Sequence, residues 1–220
     1  MSTRWSRSPE LGALRLRATD LLEIAPGRPA AFLDRDGTLN ETVLDPDSGT
    51  PESPLAVAEV RLIPGAVASA RALADAGYVL VCITNQPAAA KGKIGLRELL
   101  DVHERVIDLL AQEGVRVEIS RLCPHHPEGR PGELSGPCDC RKPAPGMLLD
   151  VVAELELDLA GSWMLGDTDA DVGAGRAAGC RTALIDYPPS AHKRSGGEAP
   201  DVFAPDITAA VAQLLGPDPR

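Results

Sequence analysis

From Ala30 onward, short apolar runs alternate with longer amphipathic segments, the pattern expected of a parallel sheet flanked by helices. Residues 30–33 predict the first strand. A helix opens near Pro64, carries Val67, Ala70, Leu73 and Ala74 as its apolar stripe, and closes at Gly77. Residues 78–83 (YVLVCI) read as a buried strand. Residues 95–113 form a second helix, with Leu96, Leu99, Leu100, Val106, Ile107 and Leu110 on its inner side and Gly114 past its end. A strand over 115–122, a helix over 145–157, the strand SWML before Gly166, a helix over 169–178, the strand CRTALI and a last helix over 205–215 complete the series. Pro188, Pro189, Gly196 and Gly197 mark the stretch before that helix as loop. Residues 1–27 are Arg-rich and end in Pro26-Gly27. They read as an accessory extension, with a short helix around 11–22. The main domain is therefore drawn over 28–220, as a Rossmann-like α/β sheet with flanking helices.

Composition narrows the partners. A chain of 220 residues with 44% hydrophobic content supports one core. The formal charge of −10 opposes bulk attraction to nucleic acid or anionic lipid, and 3% aromatic content leaves little for base-stacking platforms. No apolar run approaches the roughly 18 to 20 residues of a membrane helix. The opening MSTRWSRSPELG lacks the apolar region of a secretory signal, so a cytoplasmic monomer without nucleic-acid or membrane partners is expected.

Candidate chemistry sits at the strand ends. FLDRDGTLN places Asp34 and Asp36 just past the first strand, where ligands bind in open α/β sheets. Two such carboxylates can divide labour, one as nucleophile and cation ligand, the other in proton transfer. Thr84, Asn85 and Gln86 close the second strand with a hydroxyl and backbone N–H groups suited to a phosphoryl oxygen. In CRKPAPG, Lys142 offers a point charge and Arg141 a planar fork. GDTDADV delivers Asp167, with Asp169 and Asp171 behind it. A carboxylate there suits Mg²⁺, although Asp171 also fits the first turn of a helix stabilised by its dipole. Taken singly, each element has an ordinary explanation, as turn formers before Gly37, caps or a solvated basic pair.

Five cysteines are present, and Cys123, Cys138 and Cys140 lie close together in sequence beside His125 and His126. Three thiolates and one imidazole close a tetrahedral structural Zn²⁺ site. Spacing does not choose between the two histidines. Cys140 adjoins Arg141 and Lys142, so such a metal would anchor the loop presenting both cations. Cys82 and Cys180 read as small buried hydrophobes, His103 as a residue of a polar helix face, and His192 as a loop residue without a partner.

In order and placement, the four strand-end elements resemble the four motifs of the haloacid dehalogenase (HAD) superfamily of phosphotransferases. That resemblance implies an aspartyl-phosphate on Asp34, acid/base work by Asp36, phosphoryl binding by Thr84 and Lys142, and Mg²⁺ held by Asp34, Asp167 and the Asp36 carbonyl. Arg141 and Asn85 would meet the rest of the substrate. CPHHP with CDCRKP is similar to the zinc loop of the heptose bisphosphate phosphatases and histidinol-phosphate phosphatases in that superfamily. There the first histidine is the ligand, which implies a set of Cys123, His125, Cys138 and Cys140. The resemblance spans about residues 30–215. It implies Mg²⁺-dependent phosphomonoester hydrolysis of a small phosphorylated sugar, with a heptose bisphosphate favoured, histidinol phosphate next, and a binding module without turnover third. Motif spacing leaves no room for a large cap domain. The chain departs from those families at Pro87, at Lys91 in place of Arg, at Thr168 in place of Lys, and in the loop 40–54, which lacks their aromatic residue.

Overall fold

The computed structural model describes residues 4–7, 12–18, 23–46 and 48–216. The strands are β1 (Arg4–Arg7), β2 (Leu14–Arg17), β3 (Pro29–Leu33), β4 (Val43–Leu44), β5 (Pro51–Glu52), β6 (Val79–Asn85), β7 (Ile119–Cys123), β8 (Asp158–Gly166), β9 (Arg181–Ile185) and β10 (Val202–Ala204). The helices are α1 (Ala66–Asp75), α2 (Leu96–Gln112), α3 (Gly146–Leu155), α4 (Asp169–Ala178) and α5 (Ile207–Leu215). Eight strands form one sheet in the order β1-β2-β7-β6-β3-β8-β9-β10, while β4 and β5 make a separate small hairpin. From β7 to β10 the pairing is parallel.

Alternation along the central strands sorts side chains onto two faces. On β3, Ala31 and Leu33 join α1 and α5 on one side, whereas Ala30 and Phe32 join α3 on the other. β6 does the same, with Leu80 and Cys82 on the first face and Val79, Val81 and Ile83 on the second. Both faces are covered, so these strands are apolar throughout rather than alternating with polar residues. From β3 the chain crosses to β6 on one side and later returns to β8 on the other. The ends of β3 and β8 therefore flank the crevice where an open α/β sheet binds ligands.

Leu14–Arg17, expected to be helical as part of 11–22, is a strand, second from one edge of the sheet. It pairs antiparallel with β7 and with β1. LRLR is a two-residue period. Leu14 and Leu16 pack with Leu99 and Leu100 of α2, while Arg15 pairs with Asp150 and Arg17 with Glu154 of α3, the latter at 3.3 Å. Arg121 of β7, buried between them, reaches Asp150 at 2.5 Å and also Glu154. The leucine spacing that suggested a helix is overridden by a sheet edge that gives both faces partners. The rest of the expected 11–22 helix lies partly outside the described residues. Sequence reasoning also passed over β10 and the β4–β5 hairpin, which are too short for a periodic signal. The sheet and its flanking helices otherwise match the expectation, and no large cap is present among the described residues.

Truncating Leu14 to Ala removes a fully buried side chain and is expected to lower unfolding stability by about 2 to 5 kcal/mol in urea denaturation. A loss below about 0.5 kcal/mol, the level of an ordinary surface change, would show that this strand adds nothing to the core.

Candidate active site

Sheet geometry brings the predicted residues to one crevice. The Asp34 N–H donates to the Leu165 carbonyl at 2.9 Å, carrying β3 one residue further beside β8. The chain then turns through Gly37, whose φ is +86°; a Cβ there would stand 2.1 Å from Asp167 Oδ2. Only glycine allows the Asp34 turn and the Asp167 carboxylate to approach this closely.

Lys142 lies at the centre and is almost wholly buried. Its Nζ sits 2.8 Å from Asp34 Oδ1, 2.5 Å from Asp171 Oδ1 and 2.8 Å from the Ile83 carbonyl. Burial alone would lower its pKa, but Asp171 and Asp34 outweigh burial and raise it. Asp171 is also the third residue of α4, where its Oδ2 accepts from the Thr168 N–H at 3.1 Å and from the Thr168 hydroxyl at 2.6 Å. This reciprocal cap and the ion pair are two uses of one side chain, so the helix-terminus reading of Asp171 holds while its carboxylate also meets Lys142.

Asp34, Asp167 and Asp171 bring carboxylate oxygens within 4.8 Å of one another, all buried. One lysine does not neutralise three carboxylates. Burial pushes Asp34 up to about 6, with Lys142 opposing and Asp171 adding to the rise. Burial, then Asp34 and Asp171, hold Asp167 well above the ordinary carboxylate range. Asp167 Oδ1 has no protein partner. Hard oxygen donors, excess negative charge and an unpartnered oxygen fit a divalent cation such as Mg²⁺.

Asp36 points elsewhere. Its carboxylate receives Arg35 Nε at 3.1 Å and Nη2 at 3.0 Å, Asn40 Nδ2 at 2.9 Å, Ser53 Oγ at 2.7 Å and Gln86 Nε2 at 2.5 Å. Burial raises its pKa, but Arg35 and the hydrogen bonds from Asn40, Ser53 and Gln86 prevail and hold it below the usual carboxylate value. Only its main chain is then free to serve the metal, in line with the carbonyl role implied above. Arg35, Ser53 and Gln86 were not singled out for this role. Arg35 stands beside Asp36 in DRD and bonds it directly, whereas Ser53 arrives by tertiary contact alone.

Asn85 spends its amide on Lys142, with Nδ2 donating to the Lys142 carbonyl and Oδ1 accepting from its N–H, both at 3.0 Å. It thereby positions the lysine segment, and it also lines the cleft in which it is expected to meet substrate. Thr84 and Arg141 line the cleft as expected; Thr84 Oγ1 accepts from Gln86 at 2.9 Å, and Arg141 Nη1 donates to the His125 carbonyl at 3.1 Å. The cleft has a volume of about 290 Å³.

Cys123, His125, Cys138 and Cys140 gather beside it. Cys140 Sγ lies 3.0 Å from Cys123 Sγ, 3.4 Å from Cys138 Sγ and 3.3 Å from His125 Nδ1; Cys123 Sγ is 3.6 Å from both Cys138 Sγ and His125 Nδ1. Ligand atoms of a tetrahedral Zn²⁺ stand roughly 3.3 to 3.8 Å apart, given bonds of about 2.0 to 2.3 Å, so this donor set fits. His126 is outside it, its Nδ1 accepting from the Glu128 N–H at 3.1 Å. Gly12, at φ +66°, runs against the His125 ring, and a Cβ there would be 2.8 Å from Cε1. His103 proves to be fully buried on α2 rather than on a polar face, and burial, with Arg35 adding, pulls it down to about 3. Cys82 and Cys180 are buried thiols, as expected.

A sheet with an aspartate pair at its central strand end, a buried lysine and a carboxylate cluster defines a hydrolase of the HAD-like class, and residues 139–210 match the HAD-hydrolase-like family model. The chain belongs to this family. It is 41% identical over 155 residues to the D-glycero-beta-D-manno-heptose-1,7-bisphosphate 7-phosphatase of Rhodopseudomonas palustris, covering 70% of this chain and 82% of that one. The enzyme of the same name from Escherichia coli is 37% identical, with coverage of 74% and 81%. A HAD-like phosphatase from Mesorhizobium loti superposes with a TM-score of 0.76 at 33% identity, covering 97% and 99%. The D,D-heptose 1,7-bisphosphate phosphatase of B. bronchiseptica, in complex with magnesium and phosphate, gives 0.70 at 31%, covering 85% and 98%.

Two outcomes are expected. Asn85→Ala should free the Lys142 main chain and lower kcat by about 10- to 100-fold, the scale of a small misplacement, with the fold intact by circular dichroism; unchanged kcat would refute the positioning role. Because Asp34 holds its proton up to about pH 6, Mg²⁺ must displace it below that pH. Calorimetry should show affinity falling as pH drops through about 6, with protons released on binding, and pH-independent affinity would contradict the assigned cluster.

Proposed function

We propose that this chain hydrolyses a phosphomonoester through an aspartyl-phosphate, and that its substrate is D-glycero-D-manno-heptose 1,7-bisphosphate, cut at position 7. The observation that carries the chemistry is the separation of two aspartates one residue apart. Asp34 lies 2.8 Å from the buried Lys142 ammonium, while Asp36 is caged by Arg35, Asn40, Ser53 and Gln86. Similarity to the heptose bisphosphate phosphatases supports the substrate.

Asp34 attacks phosphorus, the ester bond breaks, and the departing oxygen takes a proton from Asp36. A phosphate dianion entering beside Asp36 raises its proton affinity, and the carboxylate, ionised in the free protein, takes up from solvent the proton it then gives. Asp36 then takes a proton from water as that water attacks phosphorus, and the bond from phosphorus to Asp34 breaks. Lys142 and the Thr84 hydroxyl hold the equatorial oxygens. Asp34, Asp167 and the Asp36 carbonyl would hold Mg²⁺, which supplies charge neutralisation at the phosphoryl group. Cys123, His125, Cys138 and Cys140 would hold a structural Zn²⁺ that fixes the Arg141–Lys142 segment. The catalytic domain runs over 28–220 with its zinc loop at 123–140, and from the extension over 1–27 the strands Arg4–Arg7 and Leu14–Arg17 join one side of its sheet. Histidinol phosphate fits less well, because its cationic end would meet Lys91, Arg141 and Lys193, which line the same cleft.

A panel of phosphorylated heptoses, hexoses and histidinol phosphate assayed with Mg²⁺ tests the substrate; a higher kcat/KM on histidinol phosphate would overturn the choice. Asp34→Asn is expected to abolish turnover and phosphoenzyme formation, and substantial remaining activity would sink the mechanism. Stripping zinc with a strong chelator should lower both the Tm and the affinity for inorganic phosphate, whereas a lowered Tm with unchanged phosphate affinity would separate the zinc loop from the site.

A further inference from the structure

The mouth of the cleft holds charged groups that the reaction at Asp34 does not use. Lys193 ends a short 3-10 turn over Pro188–Lys193, and Lys91 stands in the loop after β6. Both reach Glu52 of β5: Lys193 Nζ lies 3.5 Å from Oε2 and Lys91 Nζ 4.0 Å from Oε1. All three line the same cleft as Asp34, Lys142 and Thr168.

Lys193 is held in place by its neighbours. Arg194 Nη1 donates to the carbonyls of Asp167 and Tyr187 at 3.1 Å each and to Ser190 Oγ at 3.2 Å, while its Nη2 reaches Asp186 Oδ1 at 2.6 Å. Ser190 Oγ donates to the same Asp167 carbonyl at 3.2 Å. The turn is thus riveted to the strand end that supplies the carboxylate cluster. On its other side, the Thr42 N–H donates to Tyr187 Oη at 3.2 Å, tying it to the loop that carries Glu52. The Lys193 side chain remains 37% exposed, with its ammonium at the mouth.

At this mouth Glu52 is shared by Lys91 and Lys193, one carboxylate between two ammonium groups, with Arg141 lining the same cleft. An exposed ion pair of this sort is weak, and a doubly charged phosphate offers each cation a stronger, charge-assisted partner. We infer that Lys193 and Lys91 form a second anion subsite for the phosphate that is not hydrolysed. Glu52 occupies it in the free protein and yields it to substrate. This rests on the phosphatase reading above and adds the requirement that the preferred sugar carry two phosphates. Lys193 is then a specificity-determining residue supplied by a turn remote in sequence from the other substrate-binding groups.

The test compares sugars that differ only in the distal phosphate, heptose 1,7-bisphosphate with heptose 7-phosphate and fructose 1,6-bisphosphate with fructose 6-phosphate, using the whole enzyme with Mg²⁺. Lys193→Gln should raise KM for the bisphosphate about tenfold relative to the monophosphate, the loss of one charged hydrogen bond, with the change in KM rather than kcat. Lys193→Arg should restore most of it, and Glu52→Gln should lower KM for the bisphosphate. Equal effects on both members of a pair, or none, would overturn the inference. Failure of the heptose assignment shows differently: the unmodified enzyme would then turn over the hexose pair and not the heptose pair, and the effect of Lys193→Gln on the hexose pair would still decide the question.

Discussion

A single buried ammonium organises the site. Lys142 stands between Asp34, Asp171 and the Ile83 carbonyl, and removing it would leave buried carboxylates uncompensated, a costly state. Much of the surrounding structure keeps it there. Asn85 clamps its main chain, the thiol and imidazole cluster ends two residues before it, and the cap of α4 aims Asp171 at it. Even so, three carboxylates against one lysine leave negative charge unbalanced; burial raises the pKa values of Asp34 and Asp167, and the neighbouring carboxylates add to the rise. An arrangement that is uncomfortable empty is one prepared for a cation and then for a phosphoryl group.

Asp36 solves the opposite problem. Its ionised form is already satisfied by four side chains drawn from β3, the loop before α1 and the end of β6. Two aspartates separated by Arg35 therefore live in different electrostatic surroundings within one crevice, and a difference of environment between like groups assigns different roles. Loop 40–54 belongs to both halves of this arrangement. Ser53 touches Asp36, and Glu52 meets the lysines at the mouth, so the segment that shapes substrate entry also touches the proton-transfer group.

The amino-terminal strand shows where sequence patterns mislead. Leu14 and Leu16 carry the two-residue period of LRLR, and four residues are too few for that period to announce a strand. The sheet chooses, because β7 offers an open edge with Leu122 on one face and the acidic side chains of α3 on the other. His103 stands three or four residues from Leu99, Leu100, Val106 and Ile107, on the inner side of α2, and is buried with them although it is polar.

The alternating pattern, the strand-end aspartates, Thr84, Lys142 and the cysteine cluster were legible because each depends on periodicity or short spacing, which the chain carries within itself. Those features determine an α/β sheet with phosphoryl-transfer chemistry at its carboxyl edge and a metal-binding loop. Tertiary structure alone decided that Asn85 serves Lys142, that Ser53 and Gln86 hold Asp36, and that Lys193 reaches the mouth. Each of those facts is a contact between segments far apart in sequence. Such contacts are set by how helices and loops pack against the sheet, and no local pattern of residues encodes the distance between them.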